Sequence, residues 1–459
     1  MKSPRRIFGI ETEYGLTCAH REQGEPPLNA EEAAAELFRP MQLSGRAANA
    51  FLTNGGRLYL DVGAHPEYAT AECDTLEDLL NQDRAGGELM ADLARRANAR
   101  LSEQGIPGVI HLFRNNADSR GNSYGCHENY LIRRTQRHQQ VVASLVPFFV
   151  TRQIVVGSGY LRLRKGIATY GFSQRADQTW DAVSAATTRS RPIINTRDEP
   201  HADAQTYRRM HVIVGDTNVS EAATAAKVAM TDLVIAVAEA GKLPTWEMVD
   251  PMRAIREVCY DLTGRTTCDL TEHRSLSAIS LQRRYLQAVE DFGFDLTELQ
   301  RYTLDLWDRA LTAIESGEWG PVEHECDWAI KKKMLDRAAR RGAALDSMMA
   351  SRLMLAYHDI TDAGLRERME ERGMIRRLTT PSGVNAALTQ APTTTRAHVR
   401  GQFIQAAQAH RRDYTADWTH VRLDDGQHRA VRLDDPFASH DERIDKLCAA
   451  MDDVDIPWC

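Results

Sequence analysis

The chain has 459 residues and a formal net charge of −7, and 42% of its residues are hydrophobic. This length exceeds the size at which one core usually stops growing, so we expect a large domain with a smaller one appended. The nearly balanced charge is not the basic surface typical of nucleic-acid-binding proteins, and no stretch approaches the ~20 apolar residues of a membrane span.

The N-terminal sequence MKSPRRIFGIETEYG carries acidic residues where a signal peptide would need an apolar stretch. The eight cysteines form no CxxC pair and no zinc-ligand spacing. Both observations favour a cytoplasmic protein with reduced thiols.

Up to about residue 218, alternating apolar and polar residues predict strands with helices between them. The predicted strands cover residues 6–17, 57–62, 67–72, 109–114, 124–132, 168–174, 192–197 and 208–214. Asn29 and Thr75 are typical helix N-caps. The strands lack the regular βαβ rhythm of a doubly wound fold, so we predict an α+β fold with a mainly antiparallel or mixed sheet.

From residue 220 to about 357 the pattern is nearly all helical. The predicted helices cover residues 222–240, 276–292, 296–316 and 327–341. The proline- and threonine-rich residues 378–395 indicate a linker or hinge. Beyond it, predicted helices at 396–410 and up to about 451, with strands at 414–423 and 430–433 between them, form a compact unit. We therefore divide the chain into a large domain, residues 1–385, and a small C-terminal α/β domain, residues 386–459.

Acidic side chains on the first predicted strand form the first candidate site. Because side chains alternate along a strand, Glu11 and Glu13 share a face with Gly9, while Phe8 and Ile10 face the core. Two carboxylates inside a sheet are costly without cations, so the pair indicates either a divalent metal or ion pairs with nearby arginines. Oxygen ligands favour Mg²⁺ or Mn²⁺ over zinc.

The predicted strand at residues 57–62 has a second polar face. Arg57, Tyr59 and Asp61 project to one side, and the apolar residues between them face the core. After the next turn, Glu67 returns a carboxylate close to Asp61. A guanidinium, a phenol and two carboxylates therefore converge here.

A third polar segment extends over residues 115–130. Its first part, residues 115–122, is consistent with a tight turn or with a site. His127 and Glu128 lie beyond it in an extended stretch, where they are better placed as ligands or phosphate contacts. A lone histidine, however, is more often a satisfied core residue than a ligand.

Arginines are concentrated between residues 175 and 209, at Arg175, Arg189, Arg191, Arg197, Arg208 and Arg209. A guanidinium matches phosphate and carboxylate oxygens, so the cluster predicts an anionic substrate or, alternatively, an ion-pair network. On the last of these strands His211 shares a face with Arg209, which makes His211 a site candidate. No GxxxxGK[ST] loop is present, and acidic strands with arginines instead favour metal-bridged ATP chemistry.

Five segments in order closely resemble the ligases of the prokaryotic ubiquitin-like protein Pup: GIETEYG (9–15), residues 57–73, residues 115–130, TTRSRPIINTRDEPHAD (187–203) and HVIVGDTN (211–218). The similarity continues through residues 327–337, 357–360, 394–401 and 417–418, and so covers nearly the whole chain. This family belongs to the carboxylate-amine ligases related to glutamine synthetase. The resemblance therefore implies a glutamine-synthetase-like large domain with a helical region, followed by the small C-terminal domain.

The resemblance also implies a reaction, with ATP and Mg²⁺ as cofactors and with Pup and lysine-bearing proteins as partners. ATP would phosphorylate the γ-carboxylate of Pup's C-terminal glutamate, and a lysine ε-amine would then displace the phosphate. The isopeptide bond formed marks proteins for proteasomal degradation. Asp61 matches the catalytic base, and Arg175 and Arg197 would neutralise phosphoryl or carboxylate charge.

The motif positions further imply three groups of ligand contacts. They are magnesium contacts at Glu11, Tyr59 and Glu67, the rest of the metal and phosphate shell at Glu13, His127 and His211, and nucleotide contacts at Arg57, Thr70 and Trp418.

The nearest alternative is the sister family that deamidates Pup and removes it from its targets. Residues 61–67, DVGAHPE, are longer than the deamidase pattern, and residues 37–54 leave no room for its long insertion, so both features favour the ligase. A small-molecule γ-glutamyl ligase and a non-catalytic Pup-binding adaptor are further alternatives. No heptad pattern or long exposed strand stands out, so we expect a monomer.

Overall fold

The computed structural model describes residues 4–43, 49–61, 63–118, 121–186, 191–244, 246–425, 427 and 429–451. Within the predicted site segments, Val62, residues 119–120 and residues 187–190, which include Arg189 of the arginine cluster, lie outside these ranges.

The strands are β1 (Phe8–Glu13), β2 (Gly15–His20), β3 (Asn49–Phe51), β4 (Arg57–Asp61), β5 (His65–Ala69), β6 (Gly108–Phe113), β7 (Cys126–Arg133), β8 (Tyr160–Arg164), β9 (Ile167–Gly171), β10 (Asp181–Ser184), β11 (Pro192–Asn195), β12 (Tyr207–Val212), β13 (Thr267–Leu270), β14 (Arg274–Ser277), β15 (Tyr414–Ala416), β16 (His420–Leu423) and β17 (Ala430–Arg432). The helices are α1 (Ala30–Leu43), α2 (Leu76–Glu103), α3 (His138–Thr151), α4 (Gln153–Val156), α5 (Glu221–Glu239), α6 (Pro251–Tyr260), α7 (Ala278–Phe292), α8 (Glu298–Ser316), α9 (Asp327–Ala339), α10 (Met348–His358), α11 (Arg366–Glu371), α12 (Pro381–Ala387), α13 (Arg396–Ala409) and α14 (Glu442–Ala449).

The main sheet has eight strands in the order β10-β11-β12-β7-β1-β5-β4-β3. Neighbouring strands are antiparallel except β10 and β11, which are parallel. The predicted α+β fold with a mixed sheet is confirmed. Strand β1 lies inside this sheet, between β7 and β5. Its side chains alternate between the face that forms the core and the face that carries the polar residues.

One face of the sheet is apolar and packs on helices. Phe8 and Ile10 of β1 belong to the same buried core as Tyr130 of β7 and Met210 of β12, together with residues of α3 and α5. Helix α5 is almost entirely buried because its many alanines let neighbouring helices approach closely. Ser220 caps this helix by accepting a hydrogen bond from the backbone of Ala223.

Helix α2 joins several parts of the molecule through one turn, Gln82–Gly86. Gln82 donates to the carbonyl of Gln390 at 3.1 Å, and Asp83 receives two hydrogen bonds from Arg114 at 3.0 and 2.9 Å. Arg84 donates to Glu370 at 2.8 Å and to Glu221 at 3.3 Å. This turn therefore contacts the segment before the C-terminal unit, the end of β6, and the helical region.

The structure corrects three sequence predictions. The strand predicted at residues 6–17 is two strands, β1 and β2, which separate at the buried Tyr14 and join different sheets. The region predicted to be nearly all helical also contains the hairpin β13–β14, which was not predicted. The predicted linker contains helix α12, because Val384 and Ala387 pack against Ala85 of α2 and so bury an apolar face that is too short to give a periodic signal.

The C-terminal strands β15–β17 form a separate sheet that packs with α13 and α14. Phe51 of β3 packs into this same core beside Val399 and Phe403 of α13. The boundary between residues 385 and 386 stays a prediction, and the C-terminal core includes a side chain from the main sheet. In the part of the chain that the structure describes, no helix is both long and apolar enough to cross a bilayer.

We expect Gly86→Ala to destabilise the protein by about 1–3 kcal/mol through overpacking. A Cβ at position 86 would lie 2.2 Å from Cδ1 of Tyr68, whose hydroxyl is held by Asn54 and Gln82. Gly87→Ala is the matched control, because its Cβ would meet nothing nearer than 3.7 Å. That variant should be neutral or gain up to about 1 kcal/mol from helix propensity. Urea denaturation measures both, and equal stabilities would contradict this packing.

Candidate active site

The face of the main sheet opposite the helices carries the six predicted metal contacts. In the strand register, Glu11 on β1 is opposite His127 on β7, and Glu13 is opposite Glu67 on β5, which is in turn opposite Tyr59 on β4. Directly opposed residues of antiparallel strands project to the same face. The structure thus brings five of the six predicted metal contacts into two adjacent rows, and it adds the sixth, His211, from β12.

The first group, which we call the histidine cluster, is Glu11, His127 and His211. One ligand atom from each lies within 4.8 Å of the others. His127 Nδ1 is 3.3 Å from Glu11 Oε2, and the two imidazole rings are nearly perpendicular at 5.0 Å between centroids. His211 Nε2 is buried and has no hydrogen-bond partner among the residues that the structure describes. A buried nitrogen in this state, beside a second imidazole and a carboxylate, fits a metal or phosphate contact.

The charges in the histidine cluster are strongly coupled. Burial alone would raise the pKa of Glu11, but its hydrogen bond with His127 and the neighbouring positive charges hold that pKa below its ordinary value. Burial also opposes protonation of His127, yet Glu11 and nearby carboxylates raise its pKa to about 9. Burial and the charge of His127 lower the pKa of His211 to about 3, so His211 is a neutral imidazole at physiological pH.

The second group, the carboxylate cluster, is Glu13, Asp61 and Glu67. One oxygen of each lies within 4.8 Å of the others. Glu67 is 2% exposed, and burial together with the charge of Glu11 raises its pKa to about 8. Tyr59 is hydrogen-bonded to Glu67, and burial raises the pKa of this phenol far above its ordinary value. An all-oxygen group whose negative charges repel one another fits Mg²⁺.

Asn129, which sequence analysis did not assign, and Arg209 of the predicted arginine cluster complete the polar face. Asn129 donates to Glu11 Oε1 at 2.9 Å and accepts from Arg209 at 3.0 Å. The guanidinium of Arg209 is 3.9 Å from the same Glu11 oxygen. Alternation along β7 places Asn129 on the face of His127, so the period of two was the signal that could have found it.

The predicted arginine cluster divides into buried and exposed members. Arg175 is 2% exposed and donates to Ser123 Oγ at 2.7 Å and to the carbonyl of Tyr124 at 3.2 Å. Arg197 is exposed and pairs with Glu199 at 2.7 Å. Arg208 pairs with Asp198 on the surface, so the ion-pair interpretation holds for that arginine.

Two other sequence interpretations are corrected or settled. Glu128 is not a ligand candidate, because it faces the helices, is fully buried and accepts two hydrogen bonds from Arg152. Neighbouring residues of a strand face opposite sides of the sheet, so Glu128 cannot share the site face with His127. Asp118 accepts from the backbone of Asn122 at 2.8 Å, and Asn116 is buried and bonded to Thr217, so the described residues 115–118 and 121–122 favour the turn interpretation.

A cleft lies between the main sheet and the C-terminal unit, beside the histidine cluster. Its empty volume is ≈ 590 Å³, part of which is open to solvent. Its lining includes Gly9, Glu11, Thr70, His201, Arg209, Arg396 and Trp418. The predicted nucleotide contacts Thr70 and Trp418 therefore share one cleft. Arg57 is on β4, opposite the cleft residue Ala69 in the register, and its guanidinium stacks 4.2 Å from the ring centroid of Tyr59.

His201 is a further cleft residue that sequence analysis did not assign. Its backbone φ is 49°, a left-handed conformation that few non-glycine residues adopt. Its ring centroid is 6.3 Å from that of Trp418. Burial and the charges of Arg209 and Arg396 lower the pKa of His201 to about 4, so the ring that faces the cleft is neutral.

Glu72 connects the end of the β5 segment to helix α13. Its Oε1 lies 2.8 Å from Arg396 Nε and 3.0 Å from Arg400 Nη1, and all three residues are buried. Burial would raise the pKa of Glu72, but the two arginines lower it to about 2. The C-terminal side of the cleft is thus fixed to the main sheet by a buried ionic contact.

Comparisons with known proteins agree on one family. The family described as Pup-ligase protein matches residues 6–422. A Pup--protein ligase from Jonesia denitrificans is 50% identical over 454 residues, which cover 97% of this chain and 98% of the relative.

Two solved structures are similar over almost the same length. A ligase named PafA in complex with Pup has a TM-score of 0.92 and 41% identity, and the match covers 98% of this chain and 92% of that one. A Pup ligase PafA in complex with ADP has a TM-score of 0.84 and 41% identity, with 94% and 95% covered.

We expect Glu72→Gln to lower the free energy of unfolding at pH 7 by about 3 kcal/mol, because the carboxylate has a folded pKa of about 2 against an ordinary 4.5. Because the pKa of Glu72 is lower in the folded state, its ionised carboxylate makes its full contribution to the free energy of unfolding above about pH 4.5. That contribution is lost as the pH falls towards 2. The difference between wild type and variant should therefore shrink below about pH 4.5. Urea denaturation across this range measures it, with the exposed Glu103→Gln as control. A difference that does not change with pH would contradict the assigned pKa.

Proposed function

The chain belongs to the Pup-ligase family, and on that premise we propose that it joins the γ-carboxylate of Pup's C-terminal glutamate to the ε-amine of a substrate lysine, using ATP. The observation that carries this proposal is the similarity over nearly the whole chain to a Pup ligase solved with Pup and to a Pup ligase solved with ADP. The polar sheet face and the adjoining cleft supply the groups that this reaction needs.

The proposed chemistry has two steps. The γ-carboxylate of Pup attacks the γ-phosphorus of ATP, the bond between that phosphorus and the bridging oxygen breaks, and ADP leaves. The lysine amine then attacks the acyl carbon, and inorganic phosphate leaves as the isopeptide bond forms. A lysine amine is mostly protonated at neutral pH, so a base must accept its proton.

Asp61 is the residue that we assign as this base. It is exposed at the end of β4, at the edge of the carboxylate cluster, where an incoming protein side chain can reach it. Glu67, in contrast, is buried and bonded to Tyr59. The two carboxylates are therefore suited to different tasks, one towards the acceptor lysine and one towards the bound cation.

We assign Mg²⁺ to the polar face, held by Glu11, Tyr59 and Glu67, with Glu13, His127 and His211 completing the metal and phosphate shell. The support is the donor chemistry of the two clusters and the unpartnered nitrogen of His211. When bound, Mg²⁺ neutralises phosphate charge and aligns the phosphoryl group.

We assign the nucleotide to the cleft, where Thr70 and Trp418 would contact it. Arg57 would contact it from β4, where it lies opposite the cleft residue Ala69. Arg175 and Arg197 would offset the charge of the phosphoryl group or of Pup's carboxylate. Arg175 is held rigidly by its hydrogen bonds to Ser123 and Tyr124, whereas Arg197 is free to exchange its exposed partner for a substrate.

Two broader assignments accompany the reaction. We propose that residues 1–385 form the catalytic domain and residues 386–459 the C-terminal domain, which the separate core of α13, α14 and β15–β17 supports. We also propose a cytoplasmic location, which the free thiols of the described cysteines support.

The direct test is incubation with ATP, Mg²⁺, Pup ending in glutamate and a lysine-bearing acceptor protein. A gain of one Pup mass on the acceptor is the expected result. Deamidation of a glutamine-ended Pup without any conjugation would instead identify the sister activity.

Asp61→Asn should slow conjugation by about 100-fold or more, because the lysine then has no base. Calorimetry should show ADP affinity unchanged, and Mn²⁺ affinity as well. A loss of Mn²⁺ binding would make Asp61 a metal ligand, and unchanged conjugation would refute the base assignment.

Glu67→Gln should weaken binding of Mn²⁺, used as a probe for Mg²⁺, by at least about tenfold, because a carboxyl group can release its proton and bind the cation as a carboxylate whereas an amide stays neutral. Electron paramagnetic resonance of free Mn²⁺ gives the affinity. Glu103→Gln, on the exposed end of α2, is the control and should bind as wild type does. Equal affinities for all three proteins would move the metal site away from Glu67.

A further inference from the structure

Trp418, the cleft residue on the C-terminal unit, is held in a cage of two other side chains. Its ring meets Phe51 of β3 edge-on, at 4.8 Å between centroids. The guanidinium of Arg400 lies 5.2 Å from the Trp418 ring and 5.0 Å from the Phe51 ring. Arg400 also donates to the backbone carbonyl of Trp418 at 3.2 Å. Both the ring and the backbone of Trp418 are therefore fixed by one arginine.

Arg400 is in turn fixed to the main sheet. It is fully buried, donates to Glu72 Oε1 at 3.0 Å and forms a second, shorter hydrogen bond to Glu72 Oε2. Its Nη2 also donates to the carbonyl of Gly55 at 2.9 Å. Four acceptors on three different segments thus hold one planar guanidinium, which leaves it little freedom to rotate.

The backbone around this arginine approaches the main sheet too closely for side chains. A Cβ on Gly401 would lie 2.4 Å from the carbonyl oxygen of Thr53, and a Cβ on Gly55 would lie 2.8 Å from Cβ of Ala397. Gly55 also has a φ of +79°, which strains any other residue. Helix α13 is therefore seated directly on the turn before β4, and Arg400 projects from that contact towards Trp418.

We propose that Arg400 is a positioning residue for the nucleotide site, acting on the nucleotide through Trp418. This inference rests on the proposed function, in which Trp418 contacts the nucleotide. Arg400 binds Glu72 and Gly55 beside the main sheet and contacts the Trp418 ring of the C-terminal unit, so it holds that ring at a fixed place relative to the sheet. Nucleotide affinity then depends on how that unit is docked.

Arg396 provides an internal comparison. It pairs with the same Glu72 oxygen as Arg400, but its other side-chain hydrogen bond goes to the carbonyl of Leu433 and not to Trp418. Loss of either arginine removes one partner from Glu72. Only loss of Arg400 removes the contacts to Trp418.

The test is a double-mutant cycle in the full chain, with ADP as the probe and its dissociation constant measured by calorimetry. Arg400→Met should weaken ADP binding about tenfold, the size expected for losing a desolvated cation–π contact and its hydrogen bond. In the Trp418→Ala background the same substitution should change ADP affinity by less than about twofold, because the ring it positions is gone.

Arg396→Met is the matched substitution, and it should weaken ADP binding by the same factor in both backgrounds. Arg400→Lys keeps the charge for Glu72 but lacks the planar fork, so its effect should again depend on Trp418. Circular dichroism and thermal unfolding establish that each variant is folded, and the lysine variant carries the test if the methionine variant is not.

Equal losses for Arg400→Met with and without Trp418 would overturn the proposal, since Arg400 would then serve only the stability of the interface. Failure of the proposed function has a different signature. In that case the wild-type protein itself would not bind ADP, and no member of the cycle could differ from it.

Discussion

The arrangement of negative charge on the main sheet constrains the rest of the structure. Glu11, Glu13, Asp61 and Glu67 lie on one face of three adjacent strands, at separations where carboxylates repel one another. The protein compensates only in part, with His127 and Arg209 beside Glu11 and with a raised pKa at Glu67. In the protein alone this face therefore keeps uncompensated negative charge, as expected of a surface that binds cations together with a polyanion. The apolar residues of β1 pack on α3 and α5, and those of β4 and β5 pack on α1 and α2, which stabilises the strands that carry this charge.

The C-terminal unit contributes to the site as well as to the fold. Its core accepts Phe51 from β3, and it places Trp418 across the cleft from His201. A nucleotide in that cleft would touch both parts of the chain. Nucleotide binding and docking of the C-terminal unit are then thermodynamically coupled, because each process orders side chains that the other one needs.

Sequence analysis predicted most of the site because the site is built on strands. The period of two placed Glu11 with Glu13 and Arg57 with Asp61, and the structure keeps each pair on one face. It could not show which strands are neighbours, so the contact of Asn129 with Glu11, made across β1 and β7, was not assigned. Glu128 was misassigned because alternation shows that it and His127 face opposite sides but not which side is the core, and its buried partner Arg152 lies 24 residues further along the chain.

The remaining differences have the same origin. Helix α12 was taken for a linker because its short apolar face is stabilised by α2 and not by its own sequence. The role of Arg400 could not be inferred at all, because its partners Glu72, Gly55 and Trp418 come together only when the two parts of the chain are folded against each other.

The turn Gln82–Gly86 of α2 has a consequence for how the molecule folds. Within five residues it contacts the sheet through Tyr68, the end of β6 through Arg114, the helical region through Glu221 and Glu370, and the approach to the C-terminal unit through Gln390. Separate modules joined by a flexible connection would melt in successive steps. Here a single turn of helix contacts the sheet, the helical region and the segment that leads to the C-terminal unit, so we expect its loss to disrupt all three contacts together and unfolding to be cooperative across the predicted domain boundary.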